Sequence, residues 1–295
     1  MCTPCSQKSK LLAVTDKAIR LYDTSQNSYP FRSINFLGVP ELCSITSLDS
    51  SLRLAISFRH NAINVYNEAG KQVSSIENCL KLEPSHICLT DQILTVSSRE
   101  ESVIYDTSSF SEVFRSPATR FHNTSIVAGS FHDHQSRDVT LPLVIIAGFA
   151  PDADLVLRDP RSKTGWTRRG VVTGLKSQIQ AMALRNSVLA VACKDEVVVF
   201  DLNVRLLLDE SPHRLTLFSF DKFVSGFAIK GLDVSCSAKR VLMYSDDRVI
   251  IIDIDSHRLI FDHHSPAVIS GCCLRSDGNE VYVAHRTTIS IMKVD

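Results

Sequence analysis

The sequence has little of what membrane, secreted and nucleic-acid-binding proteins usually carry. Its 295 residues include one tryptophan and 7% aromatic residues, and 32 basic residues balance 32 acidic ones. Because the formal net charge is zero, no global field favours nucleic acid or an anionic membrane. No apolar run approaches the roughly 18 residues that span a bilayer, and the first residues lack a signal-peptide core. We expect a protein of the cytoplasm or nucleus that is not secreted, has no transmembrane segment and binds no nucleic acid.

Motifs that carry catalysis or hold cofactors are missing as well. The chain has no Gly-X-Ser-X-Gly elbow, phosphate-binding loop, His-Glu-X-X-His pair or dinucleotide fingerprint. Cys2 and Cys5 have metal or redox spacing, but no second pair follows at a matching distance, and we expect this end to fray. The cysteines number nine, and several lie in apolar runs, which indicates buried thiols in a reducing compartment. We expect no enzyme activity, no cofactor and no metal site.

One short pattern recurs along the chain. An apolar run ends on Asp, or on a residue in its place, at intervals of 44, 39, 53, 42, 52 and 40 residues. Repeats of about 40–45 residues with several strands each are typical of β-propeller blades. The seven copies are Ile19–Asp23, Ile63–Asn67, Ser102–Asp106, Leu155–Asp159, Val197–Asp201, Val249–Asp253 and Ile289–Lys293.

Short β-branched runs separated by polar turns surround each copy. The fifth unit is the clearest, with predicted strands Ile179–Leu184, Val188–Cys193 and Glu196–Asp201. The second unit predicts strands at Pro30–Phe36, Glu41–Leu48, Leu52–Phe58 and Ala62–Asn67. No stretch of about 12 residues or more keeps a helical period. The sequence therefore predicts an all-β fold, a seven-bladed β-propeller that forms a single domain over residues 1–295.

The two ends of the repeat array are short. About ten residues precede the first predicted strand, Leu11–Val14, and two residues follow the last copy. We expect the first blade to lack its innermost strand and the last blade to lack its outermost strand, unless Met1–Lys10 supplies a strand that closes the ring. An unpaired strand edge can accept a strand donated by a protein partner.

With this period and these strand ends, the chain resembles the WD-repeat β-propellers over nearly all of its length. The repeats are degenerate, because Trp166 does not end a strand and the Gly-His pair typical of that family is absent. The resemblance implies a non-enzymatic scaffold that mediates protein–protein interactions within an intracellular complex.

A weaker resemblance lies in Trp166-Thr-Arg-Arg-Gly170. It is similar to the Phe-Arg-Arg-Gly motif of the PROPPINs, seven-bladed propellers of autophagy, with Thr in place of Phe. That resemblance implies that Arg168 and Arg169 bind phosphoinositide headgroups of a membrane, since consecutive strand residues point to opposite sides. The alternative is an outer edge strand whose charges resist edge pairing.

Leu157-Arg-Asp-Pro-Arg161 resembles another short element of the WD-repeat proteins. Some of them dock onto a cullin-ligase adaptor through Trp-Asp-X-Arg, and here Arg stands in place of the Trp. The resemblance implies that Asp159 and Arg161 bind a partner and that the chain is the substrate receptor of a ubiquitin ligase.

The 53-residue interval predicts an inserted polar loop at Ser130–Thr140. It contains His132 and His134, but the sequence brings no further metal ligands to them. Loops on a rigid scaffold carry recognition, so both histidines are candidates for partner binding.

The 52-residue interval predicts a second insertion at Leu208–Asp221. Here Pro212 and Arg214 are the candidate partner-binding residues, beside the apolar stretch Leu215–Phe220. That stretch is either an outer strand or an exposed contact.

Overall fold

The computed structural model consists of short antiparallel strands joined by turns and loops. Contacts divide the chain into two compact units, Met1–Ala128 and Gly129–Asp295. Every regular element within the described residues is a β-strand. The residues that the structure describes are 2–4, 10–14, 18–23, 30–35, 40–48, 51–59, 62–98, 100–115, 125–132, 140–147, 155–159, 167–172, 179–185, 188–194, 196–201, 213–219, 227–235, 239–275, 277–286 and 288–294.

Unit 1 contains three sheets of four strands, and in each sheet the strands lie side by side in chain order. Sheet 1 comprises β1 (Cys2–Pro4), β2 (Lys10–Val14), β3 (Ala18–Asp23) and β4 (Pro30–Asn35). Sheet 2 comprises β5 (Pro40–Leu48), β6 (Ser51–Phe58), β7 (Ala62–Asn67) and β8 (Gln72–Ile76). Sheet 3 comprises β9 (His86–Leu89), β10 (Ile93–Ser97), β11 (Ser102–Asp106) and β12 (Glu112–Arg115).

The remaining strands form four further sheets with the same order. Sheet 4 comprises β13 (Ser125–His132), whose first residues precede the boundary between the units, β14 (Thr140–Ala147), β15 (Leu155–Asp159) and β16 (Thr167–Val172). Sheet 5 comprises β17 (Ile179–Arg185), β18 (Val188–Cys193), β19 (Glu196–Asp201) and β20 (His213–Ser219). Sheet 6 comprises β21 (Gly231–Val234), β22 (Arg240–Tyr244), β23 (Arg248–Asp253) and β24 (Arg258–His264). Sheet 7 comprises β25 (Gly271–Leu274), β26 (Glu280–Ala284) and β27 (Ile289–Lys293).

The recurring run that ends on Asp is the third strand of every sheet. The residues between two copies supply the fourth strand of one sheet and the first two strands of the next. Pro30–Asn35, predicted as part of the second unit, accordingly pairs with β3 in sheet 1. A sequence repeat that ends at the Asp-ending strand therefore stops one strand before the sheet ends.

The first sheet corrects one expectation and the last sheet agrees with another. Cys2–Pro4 pairs antiparallel with β2, with Cys2 opposite Ala13, so sheet 1 has all four strands and this segment is a strand rather than a frayed end. Sheet 7 has three strands in the described part of the chain, and β27 lies at its edge.

Part of each predicted insertion is a strand. Ser130–His132 belongs to β13. Of the apolar stretch Leu215–Phe220, residues 215–219 belong to β20, a fourth strand paired with β19, so this part is an outer strand. Residues 133–139 and 202–212 lie outside the described residues.

The core lies between successive sheets within each unit. In unit 2, Val199 of sheet 5 packs in one cluster with Val241 and Ile250 of sheet 6. Ile251 packs on the other side of sheet 6, in a cluster with Leu274 and others of sheet 7. Three of the third strands, β11, β19 and β23, bury consecutive residues because both of their faces are covered. No helix in the described part of the chain has the length and hydrophobicity needed to cross a bilayer.

Candidate interaction surfaces

In sheets 3 and 6, the Asp that ends the third strand holds the turn into the fourth strand. Asp106 Oδ1 accepts hydrogen bonds from the amides of Ser108 and Ser109 at 3.0 and 2.9 Å. Asp253 Oδ1 accepts one from the amide of Ser256 at 2.7 Å, and this carboxylate's pKa is lowered chiefly by the hydroxyl of the same serine. Short polar side chains commonly fix turns in this way. At these two positions, the Asp of the repeat therefore has a structural role.

A β-bulge recurs at one place in six sheets, between the third and fourth strands. The register shifts two residues before the residue that ends the third strand, and one residue of the fourth strand is left without a partner. The extra residues are Phe31, Val73, Val113, Arg169, Leu215 and Ile260. Five are apolar, and sheet 4 alone among these six carries a charged residue there.

Sheet 4 therefore concentrates arginines on adjoining backbone positions. Arg158 of β15 is the Cα partner of Arg168 of β16, and Arg169 is the bulged residue beside this pair. Like charges placed directly opposite each other disfavour strand pairing unless an anion or a carboxylate compensates them. β16 lies at the edge of its sheet, as the edge-strand alternative predicts. The bulge also interrupts the strict alternation on which the prediction of two separate arginine sites rests.

The other predicted site residues are dispersed. Asp159 ends β15 opposite Thr167, and Arg214 lies in β20 opposite Phe200. His132 is the last residue of β13. Arg161, His134 and Pro212 lie outside the described residues, and the partner-binding role of these residues remains a prediction.

The edge of sheet 7 is the most exposed apolar third strand in the described part of the chain. Ile291 of β27 is 58% exposed, whereas the residues at the same place in five other third strands are 0% exposed. Those residues are Leu21, Val65, Ile104, Val199 and Ile251. Ile291 is thus exposed where its equivalents are buried, although all six are aliphatic residues.

Sequence reasoning missed a largely buried ion pair that links three sheets. Arg185 at the end of β17 donates from Nη2 to Asp233 Oδ2 at 2.9 Å, and the same oxygen accepts the amide of Leu274 at 2.8 Å. Burial raises the pKa of Asp233, while Arg185 and the Leu274 amide act in the opposite direction. Arg185 lies 48 residues from Asp233 in sequence and Leu274 lies 41 residues from it, so no local sequence pattern predicts these contacts.

A second buried carboxylate fixes the end of sheet 3. Glu101 accepts a hydrogen bond from Arg115 at 2.9 Å and another from the amide of Lys81. Arg115 also donates to Glu112 at 2.6 Å and to the carbonyl of Cys79 at 3.2 Å. Burial raises the pKa of the Cys79 thiol to about 11, so this thiol is unreactive at neutral pH. The network holds the segment between sheets 2 and 3 and has no feature of a catalytic site.

Among the described side chains, no group of three or more His, Cys, Asp or Glu residues converges as a metal site would require. Among the cysteines whose side chains the structure describes, Cys88 is half-buried, and the others are buried thiols, namely Cys43, Cys79, Cys193, Cys272 and Cys273. The turn at Asp246 and Asp247 is held by local bonds, including one from Ser245 Oγ to Asp247 Oδ1 at 2.8 Å. The candidate interaction features of the described residues are therefore strand edges and turns.

Comparisons with known proteins identify the fold. No protein-family model matches the chain, and no curated protein matches it. The Cps50 (Swd1) β-propeller domain of Myceliophthora thermophila is similar in structure, with a TM-score of 0.77 and 12% identity over 100% of this chain and 96% of that one. Hsv2 of Kluyveromyces marxianus, a PROPPIN, gives a TM-score of 0.69 and 11% identity over 99% and 91% of the two chains. A KlHsv2 whose loop 6CD is replaced by a Gly-Ser linker gives 0.71 and 9% over 100% and 92%. The chain has an all-β propeller fold, and its predicted resemblance to divergent WD-repeat propellers and PROPPINs is confirmed at the level of structure.

Proposed function

From this β-propeller fold, we propose that the chain is a non-enzymatic scaffold that binds protein partners within an intracellular complex of the cytoplasm or nucleus. We further propose that its seven sheets are the seven blades of one ring, so that residues 1–295 form a single domain. The match to a β-propeller domain over 100% of this chain supports that arrangement. Rigid propellers commonly carry recognition on their loops, faces and strand edges.

The observation that carries the proposal is that buried and turn carboxylates of the described residues accept hydrogen bonds from within the fold. Asp106 and Asp253 hold turns, Asp233 links sheets, and Glu101 anchors a connecting segment. Each of these carboxylates is satisfied within the fold, whereas general acid–base catalysis needs such a group directed at a substrate. Exposed apolar side chains lie on strands and turns, at Val73, Val113, Val268 and Ile291 among others.

Quantitative affinity purification of the full chain tests this function. We expect a small set of proteins in fixed proportion to the tagged chain, enriched over an unrelated propeller expressed at the same level. Recovery of a cullin-ligase adaptor that depends on Arg161 would identify the chain as a substrate receptor. A chain that purifies alone, and elutes as a monomer from native lysate, contradicts the scaffold proposal. Turnover of a substrate by the purified chain also contradicts it, if one central substitution abolishes that turnover.

A second candidate function is supported by the arginines of sheet 4. The register that sets Arg158 opposite Arg168, beside the bulged Arg169, concentrates positive charge where an anionic headgroup would relieve the repulsion. The PROPPIN resemblance implies the same chemistry, and Hsv2 is among the similar structures. On this alternative the chain is a phosphoinositide-binding effector of autophagy or membrane trafficking.

Liposome flotation decides between the two functions. The phosphoinositide alternative predicts flotation with vesicles that contain phosphoinositide, absence of flotation with phosphatidylcholine alone, and loss of flotation in R168A/R169A. The matched control is R258A/R286A, which removes two exposed arginines, Arg258 in β24 and Arg286 in the turn between β26 and β27. Flotation that is absent, or equal in both double variants, leaves the scaffold proposal in place and removes the lipid site.

A further inference from the structure

The open edge of sheet 7 has an orientation that the structure specifies. The amide of His285 donates to the carbonyl of Thr288 at 2.8 Å, and the amide of Val294 donates to the carbonyl of Asn279 at 2.9 Å. Hydrogen-bonded and non-hydrogen-bonded pairs alternate along an antiparallel ladder. The backbone groups of Ser290 and Met292 therefore face β26, whereas those of Ile289, Ile291 and Lys293 face away from it.

In the four-stranded sheets, the backbone groups at the positions equivalent to Ile289, Ile291 and Lys293 face the fourth strand. Asn67 and Asp106 end their third strands where Lys293 ends β27, and their amides donate to the carbonyls of Lys71 and Ser111, both at 3.0 Å. Those carbonyls belong to the segments that lead into the fourth strands. In the described part of the chain, no strand occupies this place beside β27. An unpaired edge with one apolar face is a suitable acceptor for strand addition.

Charge indicates the chemistry of a strand that would fit. The residue that ends the third strand pairs with a basic residue in two sheets, Asp253 with Arg258 and Asp201 with His213. In sheet 7 this position is the exposed Lys293. A complementary strand would therefore carry an acidic residue opposite it, which is the reverse of the pairing inside the chain.

Apolar cover is the second requirement. Ile251 and Ile104, which are fully buried, have Phe261 and Phe114 as their Cα partners in the fourth strands. The equivalent Ile291 is 58% exposed, and Met292 beside it is partly buried. A strand with large apolar residues next to its acidic end would cover both side chains.

We propose that sheet 7 is completed by an extended segment of a partner protein that runs antiparallel to β27. The segment carries an acidic residue opposite Lys293, followed by large apolar residues over Met292 and Ile291. This inference rests on the proposed scaffold function and names the surface and the chemistry of one partner. β24 supplies the pattern for a probe, because its residues Arg258–His264 cover the equivalent third strand in sheet 6.

A charge-swap titration tests the proposal with the full chain. Two labelled peptides are used, one with the sequence of residues 258–264 and one with the same sequence carrying R258D, and binding is followed by fluorescence anisotropy. We expect the R258D peptide to bind the natural chain roughly three- to tenfold more tightly than the Arg peptide, and this preference to reverse with K293E. A peptide with proline opposite Ile291 should bind at least about tenfold more weakly. No saturable binding, or no reversal with K293E, overturns the proposal.

Substitution at Ile291 separates this inference from the scaffold function itself. I291P removes an amide that faces the open edge and leaves the ladder to β26 intact, a position where proline is tolerated on edge strands. I291V is the matched control, and circular dichroism verifies that both variants fold. We expect one partner to be lost from affinity purification with I291P and retained with I291V. If I291P keeps every partner, the edge proposal fails while the scaffold stands; if the natural chain has no partner, the scaffold fails. A natural chain that dimerises through this edge, and becomes monomeric as I291P, identifies a second copy as the occupant and also overturns the proposal.

Discussion

At the scale of single residues, Asp253 shows why the strand-ending carboxylate recurs. Its Oδ1 accepts hydrogen bonds from the amide and the hydroxyl of Ser256 at 2.7 and 2.6 Å. His257 then adopts a φ of 55° before β24 begins. Few residues other than glycine adopt that left-handed conformation without cost, so the turn depends on the fixed position of the residues that precede it.

We predict that D253A lowers the free energy of unfolding by about 1 kcal/mol, because it removes a side-chain acceptor from the turn amide. The matched control is D255A, whose carboxylate lies two residues away, is 70% exposed and forms only a 3.9 Å contact with Lys239. That control should change stability little. Urea unfolding of the three chains measures the difference, and equal losses in D253A and D255A would refute the role of the turn.

The stabilisation from Asp253 should depend on pH. The Ser256 hydroxyl and amide hold the pKa of this carboxyl below its ordinary value of 3.8. A carboxyl whose pKa is lowered on folding stabilises the folded state above the unfolded-state pKa, and this stabilisation is lost as the pH falls through the folded-state value. The stability difference between the natural chain and D253A should therefore be complete at pH 7 and smaller at about pH 3. A difference that is constant with pH would show that the charged form has no special role.

At the scale of elements, Asp233 connects sheets 5, 6 and 7 of unit 2. Its carboxylate receives Arg185 from the end of β17 and the Leu274 amide from β25. Buried charged hydrogen bonds of this kind add little net stability compared with a well-packed apolar alternative, but removing one partner is costly.

We predict that D233A destabilises the chain by about 3 kcal/mol, since it removes the carboxylate that receives both Arg185 and the Leu274 amide. D246A is the matched control, because Asp246 forms its ion pair with Lys230 at 2.6 Å while 71% exposed. Thermal unfolding should show a large decrease in Tm for D233A and little change for D246A. Similar small effects in both would contradict the proposed link between sheets.

The bulge of sheet 4 gives a second prediction at this scale. Since five equivalent bulges carry apolar residues, R169V introduces the residue type that this backbone position accepts elsewhere. We expect R169V to be as stable as the natural chain or more stable, because it removes one charge beside the Arg158 and Arg168 pair. Thermal unfolding measures this outcome. A marked loss of stability would mean that Arg169 forms a required contact.

Many of the strands could be predicted from the sequence. Third strands were predictable because apolar runs that end on Asp repeat, and residues 179–201 gave three strands with nearly their observed bounds. The bulges were not, because register depends on backbone pairing rather than on local composition. The sequence left Met1–Lys10 open between a frayed end and a strand, since a three-residue segment that contains proline, as Cys2–Pro4 does, gives a poor strand signal. The Asp233 contacts were missed because their partners are distant in sequence.

At the scale of the whole molecule, the fold is recognisable at 12% identity or less to the three similar structures. Period and strand alternation suffice for that, because each sheet needs only an apolar pattern and a turn. The period and the strand alternation do not identify the function, because propellers bind their partners through residues outside the repeated pattern. The informative positions of this chain are those that depart from its own repeat, namely Arg169 and the β27 edge.

Residue-resolved hydrogen exchange in β27, on the isolated chain and on the complex recovered by affinity purification, tests the account of strand addition at the open β27 edge most directly. The account predicts that in the isolated chain the amides of Ser290 and Met292 exchange slowly and those of Ile289, Ile291 and Lys293 exchange fast. The equivalent amides of Val65 and Ile251, in complete sheets, should be slow in both samples. In the complex, exchange at the three open-edge amides should slow by at least about tenfold. Protection of these amides in the isolated chain, or unchanged exchange in the complex, would contradict the account.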